Sequence, residues 1–202
     1  MIENIVFDMG GVLINYDPEG TIYGIFDKEV ADIALKEIFR NRLWNEKDRG
    51  TVTPDEIMER VRDKIPPRAY DKVSEITHNL YPYMKPFEET CRLVRELKRN
   101  GYGIFLLSNA SDDFFENKWR IPALEYFDGY LISADYKLLK PEPEIYSVFF
   151  EKFNLNPSEC FFIDDMPANV EGSEKAGMKA YCFNHKDFAL LRNALRENGI
   201  NI

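Results

Sequence analysis

Short apolar runs that stop at polar clusters organise the chain. Asn4-Ile-Val-Phe7 ends at Asp8, with Gly10-Gly11 close behind, which is the pattern of a buried strand feeding a tight turn. Gly103-Ile-Phe-Leu-Leu107 ends at Ser108-Asn109-Ala110-Ser111, Tyr130-Leu-Ile132 forms a third run, and Cys160-Phe-Phe-Ile163 ends at Asp164-Asp165. Between these runs apolar positions recur at helical spacing. Phe87, Cys91, Val94 and Leu97 share one face, and Asn100-Gly101 supplies the stop. Ile145, Val148, Phe149 and Phe153 share another, with Pro141 and Pro143 just upstream, and Pro167 begins a shorter helix that ends near Gly177. Strands alternating with helices predict an α/β fold, a parallel, doubly wound sheet whose ligand crevice lies outside the carboxyl ends of the strands. The polar clusters after the first, second and fourth runs converge there, and Lys140, in the loop after the third run, can join them.

Residues 16–85 break the alternation, because they read as helices without convincing strands. Val30, Ile33, Ala34 and Ile38 form one amphipathic face, and Thr53-Pro54-Asp55-Glu56 is a capping-box start for a helix bearing Ile57 and Val61. The expected organisation is a core of residues 1–15 and 86–202 with a small helical cap, 16–85, inserted after the first strand. No internal repeat or low-complexity segment interrupts this pattern.

Composition narrows the function classes. With 202 residues, 45% hydrophobic and 30% charged, the chain can bury a substantial core and is too apolar for disorder. A formal net charge of −9 with no basic stripe disfavours nucleic acid as a partner. If the substrate is anionic, the site must build its own positive field from a metal, a lysine and backbone N–H groups. No segment is long and apolar enough to span a bilayer, so no membrane partner is expected. The segment Met1–Phe7 lacks the basic start of a signal peptide. Cys91, Cys160 and Cys182 are widely spaced and odd in number, as reduced core thiols would be, and the expected location is cytoplasmic. His78 and His185 stand alone, without a metal-ligand partner, and are expected to be structural or surface residues.

Four segments in order resemble motifs of the haloacid-dehalogenase-like superfamily, in the branch that carries a helical cap. They are Phe7-Asp8-Met9-Gly10-Gly11-Val12-Leu13, Leu106-Leu107-Ser108-Asn109, Lys140-Pro141-Glu142-Pro143-Glu144-Ile145-Tyr146 and Phe162-Ile163-Asp164-Asp165-Met166-Pro167-Ala168-Asn169. Each alone is weak; four in this order and strand context are specific. The resemblance implies a hydrolase, most often a phosphatase, whose Asp8 attacks phosphorus to form an aspartyl-phosphate that water releases. It implies that Ser108 and Asn109 hold the phosphoryl oxygens, that Lys140 supplies a compact positive charge to phosphate and nucleophile, and that Asn169 orients its loop. It also implies a Mg²⁺ site made by Asp8, the Gly10 carbonyl, Asp165 and Asp164. Adjacent aspartates are costly to hold in a crevice without a cation, and Mg²⁺ prefers oxygen ligands. By motif spacing Asp165 is the stronger candidate for the direct ligand, with Asp164 acting through a water or a supporting contact, and the sequence leaves open which of the two binds the metal directly.

Gly10 departs from the commoner family pattern, in which a second aspartate two residues after the nucleophile protonates the leaving group. Losing such an acid costs on the order of 10²–10⁴ in rate, so either the leaving group departs readily or another residue supplies the proton. An anomeric sugar phosphate meets the first condition, and the chain resembles bacterial phosphatases that act on sugar phosphates such as glucose 1-phosphate. Asp17 is a candidate for the second, although beside Pro18 it also reads as a helix start. The expected partner is a small phosphorylated metabolite; a monomer is compatible with the pattern, which does not set the oligomeric state. Two rival readings remain: a metal-independent 2-haloacid dehalogenase, which also lacks the second aspartate, and a phosphometabolite-binding protein that has lost efficient catalysis. Trp44, Tyr81 and Tyr83 are expected in the core of the cap, outside the site.

Overall fold

A computed structural model describes residues 1–184 and 186–202; the expectation for His185 lies outside the described residues. Among the described residues seven strands form two sheets: β1 (Asn4–Phe7), β2 (Ile14–Asn15), β3 (Lys85–Pro86), β4 (Gly103–Ser108), β5 (Gly129–Ile132), β6 (Cys160–Asp164) and β7 (Lys179–Cys182). Five of them make one parallel sheet in the order β5-β4-β1-β6-β7. The protein is therefore α/β and doubly wound, and the strand order reverses at β1.

Both faces of this sheet are covered, which is why its strands are apolar runs rather than alternating ones. Ile5, Phe7, Ile104, Leu106, Phe161 and Ile163 pack on one side with Leu93, Val94 and Leu97, and Val6, Leu107 and Phe162 pack on the other with Ile145, Tyr146 and Phe149. Burying each such side chain is worth roughly 1.5–3 kcal/mol. Strand β1 is the central strand between these two layers.

The helices are α1 (Pro18–Ile25), α2 (Lys28–Ala34), α3 (Arg42–Asp48), α4 (Pro54–Val61), α5 (Tyr70–His78), α6 (Glu88–Arg99), α7 (Phe114–Asn117), α8 (Ser133–Tyr136), α9 (Pro143–Phe153), α10 (Pro167–Lys175) and α11 (Phe188–Glu197). Helix α6 carries Glu88 and Glu89 in its first turn and Lys98 and Arg99 in its last, which suits the helix dipole. It stops where expected, with Gly101 at φ +90°. Helices α1–α5 surround a second cluster that includes Ile22, Leu35, Ile57, Val73 and Ile76. The capping box at α4 forms as read: the Glu56 N–H donates to Thr53 Oγ1 at 3.2 Å and the Thr53 N–H to Glu56 Oε2 at 2.8 Å.

Three features differ from the sequence reading. The face of Val30 to Ile38 is not one α-helix, since α2 ends at Ala34 and a π-helical turn, Leu35–Phe39, follows. Strand β7 follows α10 at the sheet edge. Finally, β2 and β3 pair antiparallel, Ile14 with Pro86 and Asn15 with Lys85, so a short ribbon joins the two chain crossings beside the helical segment. Among the described residues no helix is long and apolar enough to cross a membrane. Cys91 and Cys160 are buried, Cys182 is half-buried, and all three are unpaired. His78 is structural: Nδ1 lies 2.8 Å from the Ser74 carbonyl oxygen and Nε2 3.0 Å from Asp55 Oδ1, joining α5 to the start of α4.

Candidate active site

Asp8 leaves the end of β1 in register with Asp164 on β6, because Phe7 pairs with Ile163 and the Asp8 N–H donates to the Ile163 carbonyl at 2.9 Å. On the other flank, Phe7 pairs with Leu106 of β4. The sheet register thus delivers two carboxylates to the switch point. Lys140 reaches the same point, and its Nζ donates to Asp8 Oδ1, Asp164 Oδ2 and the Leu107 carbonyl at 2.7, 2.7 and 2.8 Å. All three hydrogens of the ammonium are used, and the side chain is 1% exposed. Burial opposes its charge, but Asp164 and Asp8 outweigh that penalty and hold the ammonium above its ordinary range.

Asp164 is satisfied by protein. Besides Lys140 it accepts from the Met166 N–H at 2.8 Å and from Asn169 Nδ2 at 3.1 Å on each oxygen. Asn169 is held in turn, since its carbonyl accepts from the Tyr146 hydroxyl at 2.8 Å. The Asp165 carboxylate, by contrast, receives no side-chain donor among the described residues. It sits against Gly11, whose φ is +74° and where an added Cβ would lie 2.1 Å from Asp165 Oδ2. Only glycine permits this approach.

The carboxylate oxygens of Asp8, Asp164 and Asp165 lie within 4.8 Å of one another. Burial, only partly offset by Lys140, together with the Asp164 and Asp165 charges, pushes Asp8 well above the ordinary carboxylate range. Burial and Asp164 push Asp165 up as well. Three carboxylates against one ammonium leave two uncompensated negative charges, which one divalent cation would neutralise. Hard oxygen donors suit Mg²⁺; Gly10 also lines the cavity, and its carbonyl accepts no hydrogen bond among the described residues.

Ser108 ends β4, is 1% exposed, and its hydroxyl has no protein partner among the described residues. Asn109 differs from expectation: its Oδ1 accepts from the Lys140 N–H at 2.8 Å and its Nδ2 donates to the Lys140 carbonyl at 3.0 Å. The amide clasps the backbone of the lysine instead of pointing a free donor into the crevice. The backbone N–H groups of Met9, Gly10 and Asn109 donate to no protein acceptor among the described residues, so the loops carry unspent donors. Asp17 caps α1, accepting from the Gly20 N–H at 2.8 Å on the exposed surface, and does not line the crevice.

Above the carboxylates lies a cavity of about 330 Å³. Its apolar wall comprises Tyr16, Phe39, Trp44, Leu80, Tyr81 and Met84. Trp44 and Tyr81 therefore both pack in the core and face the cavity, whereas Tyr83 packs against the helical cluster and does not line it. Trp44 Nε1 donates to the Tyr16 hydroxyl at 2.8 Å. Tyr16 in turn fills the space over Gly10, where an added Cβ would meet its Cβ at 3.4 Å. Lys47 and Asp48, at the end of α3, also line the cavity and were not found by motif. Their only sequence signal is a run of four charged residues, Glu46-Lys47-Asp48-Arg49, which reads as helix surface.

The fold defines the class first: a doubly wound α/β protein with a carboxylate cluster at its topological switch point. The family model described as haloacid dehalogenase-like hydrolase matches residues 5–183, and the chain belongs to that family, making it a hydrolase. It is similar to a crystal structure of a family enzyme from Bacteroides thetaiotaomicron in complex with magnesium and inorganic phosphate. The two share 28% identity and a TM-score of 0.72 over 90% of this chain and 94% of that one. A sesquiterpene phosphatase of Aspergillus oryzae is 26% identical, covering 86% of this chain and 85% of its own. A D-ribitol-5-phosphate phosphatase of B. thetaiotaomicron is 24% identical, covering 90% and 91%.

Proposed function

We propose that the protein is a Mg²⁺-dependent phosphomonoesterase acting on a small phosphorylated metabolite through an aspartyl-phosphate on Asp8. The observation that carries this reading is the charge of the crevice: a buried lysine shared by Asp8 and Asp164, beside a third carboxylate, leaves a deficit that one divalent cation would fill. The same deficit argues against a metal-independent dehalogenase, because a haloacid would have to bring its own carboxylate into uncompensated negative charge. The Bacteroides relative solved with magnesium and phosphate supports the same assignment.

Asp8, Asp165 and the Gly10 carbonyl would hold the ion directly, with Asp164 behind them, and the bound ion would neutralise charge on the phosphoryl oxygens. Lys140 fixes one oxygen of Asp8 and leaves Oδ2 without a protein donor, free to attack in line. The Ser108 hydroxyl and the free N–H groups of Met9, Gly10 and Asn109 stabilise the equatorial oxygens. Asp164, Asn109 and Asn169 are positioning residues, since they bond Lys140 or one another. Residues 16–85 act as a cap on a core of 1–15 and 86–202, with the aromatic wall excluding water and meeting an apolar face of the substrate, such as one face of a sugar. Three unpaired cysteines support a reducing, cytoplasmic setting.

Steady-state hydrolysis of p-nitrophenyl phosphate tests the reading. Turnover is expected with magnesium, and it should vanish in EDTA and in Asp8→Asn. Turnover that survives in EDTA or in Asp8→Asn, or EDTA-resistant release of halide from a 2-haloacid, overturns it.

A further inference from the structure

We propose that Asp48, from the helical segment, is the acid that protonates the leaving group in place of the side chain missing at Gly10; this rests on the phosphomonoesterase reading above. Asp48 lines the same cavity as Asp8, Lys140 and Asp165. Among the described residues its carboxylate makes no hydrogen bond and no ion pair, although cations flank it on both sides in the sequence. Both are committed elsewhere. Lys47 Nζ donates to Ser111 Oγ at 2.7 Å and to Asp113 Oδ2 at 3.1 Å. Arg49 makes a two-pronged pair with Glu142 at 3.0 and 2.5 Å and also donates to the Lys137 carbonyl at 3.0 Å.

The placement is held firmly. Ser133 Oγ donates to the Asp48 carbonyl and Lys137 Nζ to the Gly50 carbonyl, both at 2.5 Å. Gly50, at φ +71°, lets the chain come so close that an added Cβ would lie 2.8 Å from the Ala134 carbonyl oxygen. Residues 47–50 are thus pinned to the loops after β4 and β5, and Asp48 is presented to the crevice without a partner. Such a carboxylate is a poor choice for stability, because it sits at the negative end of α3. Asp17, the other acid near the missing position, is spent on a helix cap outside the cavity.

The surroundings suit a proton donor. Asp48 is half-buried and lines the cavity. Burial, opposed by Lys47 and reinforced by the charges of Asp113 and Asp8, pushes it up to about 7. The other ionisable groups that face it, Tyr16 and Tyr81, are held neutral by burial. In the first step Asp8 Oδ2 bonds to phosphorus, the bond from phosphorus to the ester oxygen breaks, and the Asp48 proton passes to that oxygen, releasing the alcohol. In the second, water bonds to phosphorus, its proton returns to Asp48, and the bond to Asp8 breaks, releasing phosphate and restoring the Asp8 carboxylate and the protonated Asp48.

The test compares p-nitrophenyl phosphate with phenyl phosphate, which fill the same space but differ in how much the leaving oxygen needs a proton. The readout is kcat/KM, which covers phosphoryl transfer alone even if the second step becomes slow. In Asp48→Asn it should stay within about threefold of wild type for the nitrophenyl ester and fall on the order of 10²–10⁴ for the phenyl ester. Asp48→Glu, which keeps the acid, should recover part of that loss, with circular dichroism confirming both folds. Equal losses on the two esters in a folded Asp48→Asn, or no loss on either, overturn the acid while leaving the phosphatase intact. Wild-type protein with no turnover of either ester, or Asp8→Asn with normal turnover, overturns the underlying reading instead.

Discussion

At the scale of single residues, the site is built by spending some groups so that others stay free. Asn109, Asn169 and Tyr146 are consumed in fixing Lys140 and Asp164, and Lys140 in fixing Asp8. What is left without a protein partner among the described residues is one oxygen of Asp8, the Asp165 carboxylate, the Ser108 hydroxyl and the Asp48 carboxylate. Unspent charge has a thermodynamic consequence that can be measured apart from catalysis. In the unfolded chain Asp48 ionises in the ordinary carboxylate range, near 3.8, whereas in the folded protein burial pushes it up to about 7. Below pH 4 both states are protonated and burial costs little. As pH rises from about 4 to 7 the unfolded state loses its proton first, so stability falls and the full penalty is present above pH 7. Asp48→Asn should therefore melt with wild type at pH 4 but be more stable at pH 8. With a carboxyl that opens on solvent, the gain is discounted to roughly 1–2 kcal/mol. Equal stability of the two proteins at pH 8 would mean that the carboxylate is well solvated in the folded state.

At the scale of elements, the end of α3 acts as a bolt between the helical segment and the loops above the sheet. The Arg49–Glu142 pair is two-pronged and partly exposed, so its coupling should be about 1 kcal/mol. Arg49→Ala should lower the melting temperature by about 2–4 °C. The larger effect should fall on kcat/KM, by about 3–10-fold, because the same contacts hold the end of α3 at the crevice. Exchanging the charges, Arg49→Glu with Glu142→Arg, should restore part of both; a melting shift with unchanged kcat/KM would make the bolt structural only. None of this bolt was legible beforehand, since 47–50 meets 111–113, 133–137 and 142 only through the fold. Strands β1, β4, β5 and β6 could be read because burial on both faces makes them apolar runs, and Asp8, Ser108 and Asp164 because they end such runs. Strand β7, at the sheet edge, mixes Lys179 with half-buried neighbours and carries no such run. The π-helical turn was hidden for another reason: Leu35, Ile38 and Phe39 keep apolar spacing while the backbone changes its winding. The aromatic wall is not legible in the sequence because one residue can belong to the core and the cavity together, as Trp44 does at 7% exposed.

At the scale of the whole molecule, a chain of net charge −9 gathers three of its carboxylates at one point of a parallel sheet. Folding must bring these like charges together, and Lys140 compensates only one of them. The folded state should therefore be stabilised by whatever cation fills the cluster, since the unfolded chain offers no such arrangement. At a concentration 100 times its dissociation constant, the ion adds about 2.7 kcal/mol, which for a chain of this size corresponds to roughly 5–10 °C in melting temperature. Asp165→Asn separates the two sides of this balance. Removing one negative charge from a group that burial and Asp164 already disfavour should leave the metal-free protein as stable as wild type or more so. The same change removes from the cluster a carboxylate oxygen whose charge nothing else compensates, so the rise on adding magnesium should largely disappear. Thermal melts of both proteins, with magnesium and with EDTA, read both effects without any substrate. A magnesium-induced rise as large in Asp165→Asn as in wild type would place the cation elsewhere, and the charge deficit of the crevice would then need another explanation.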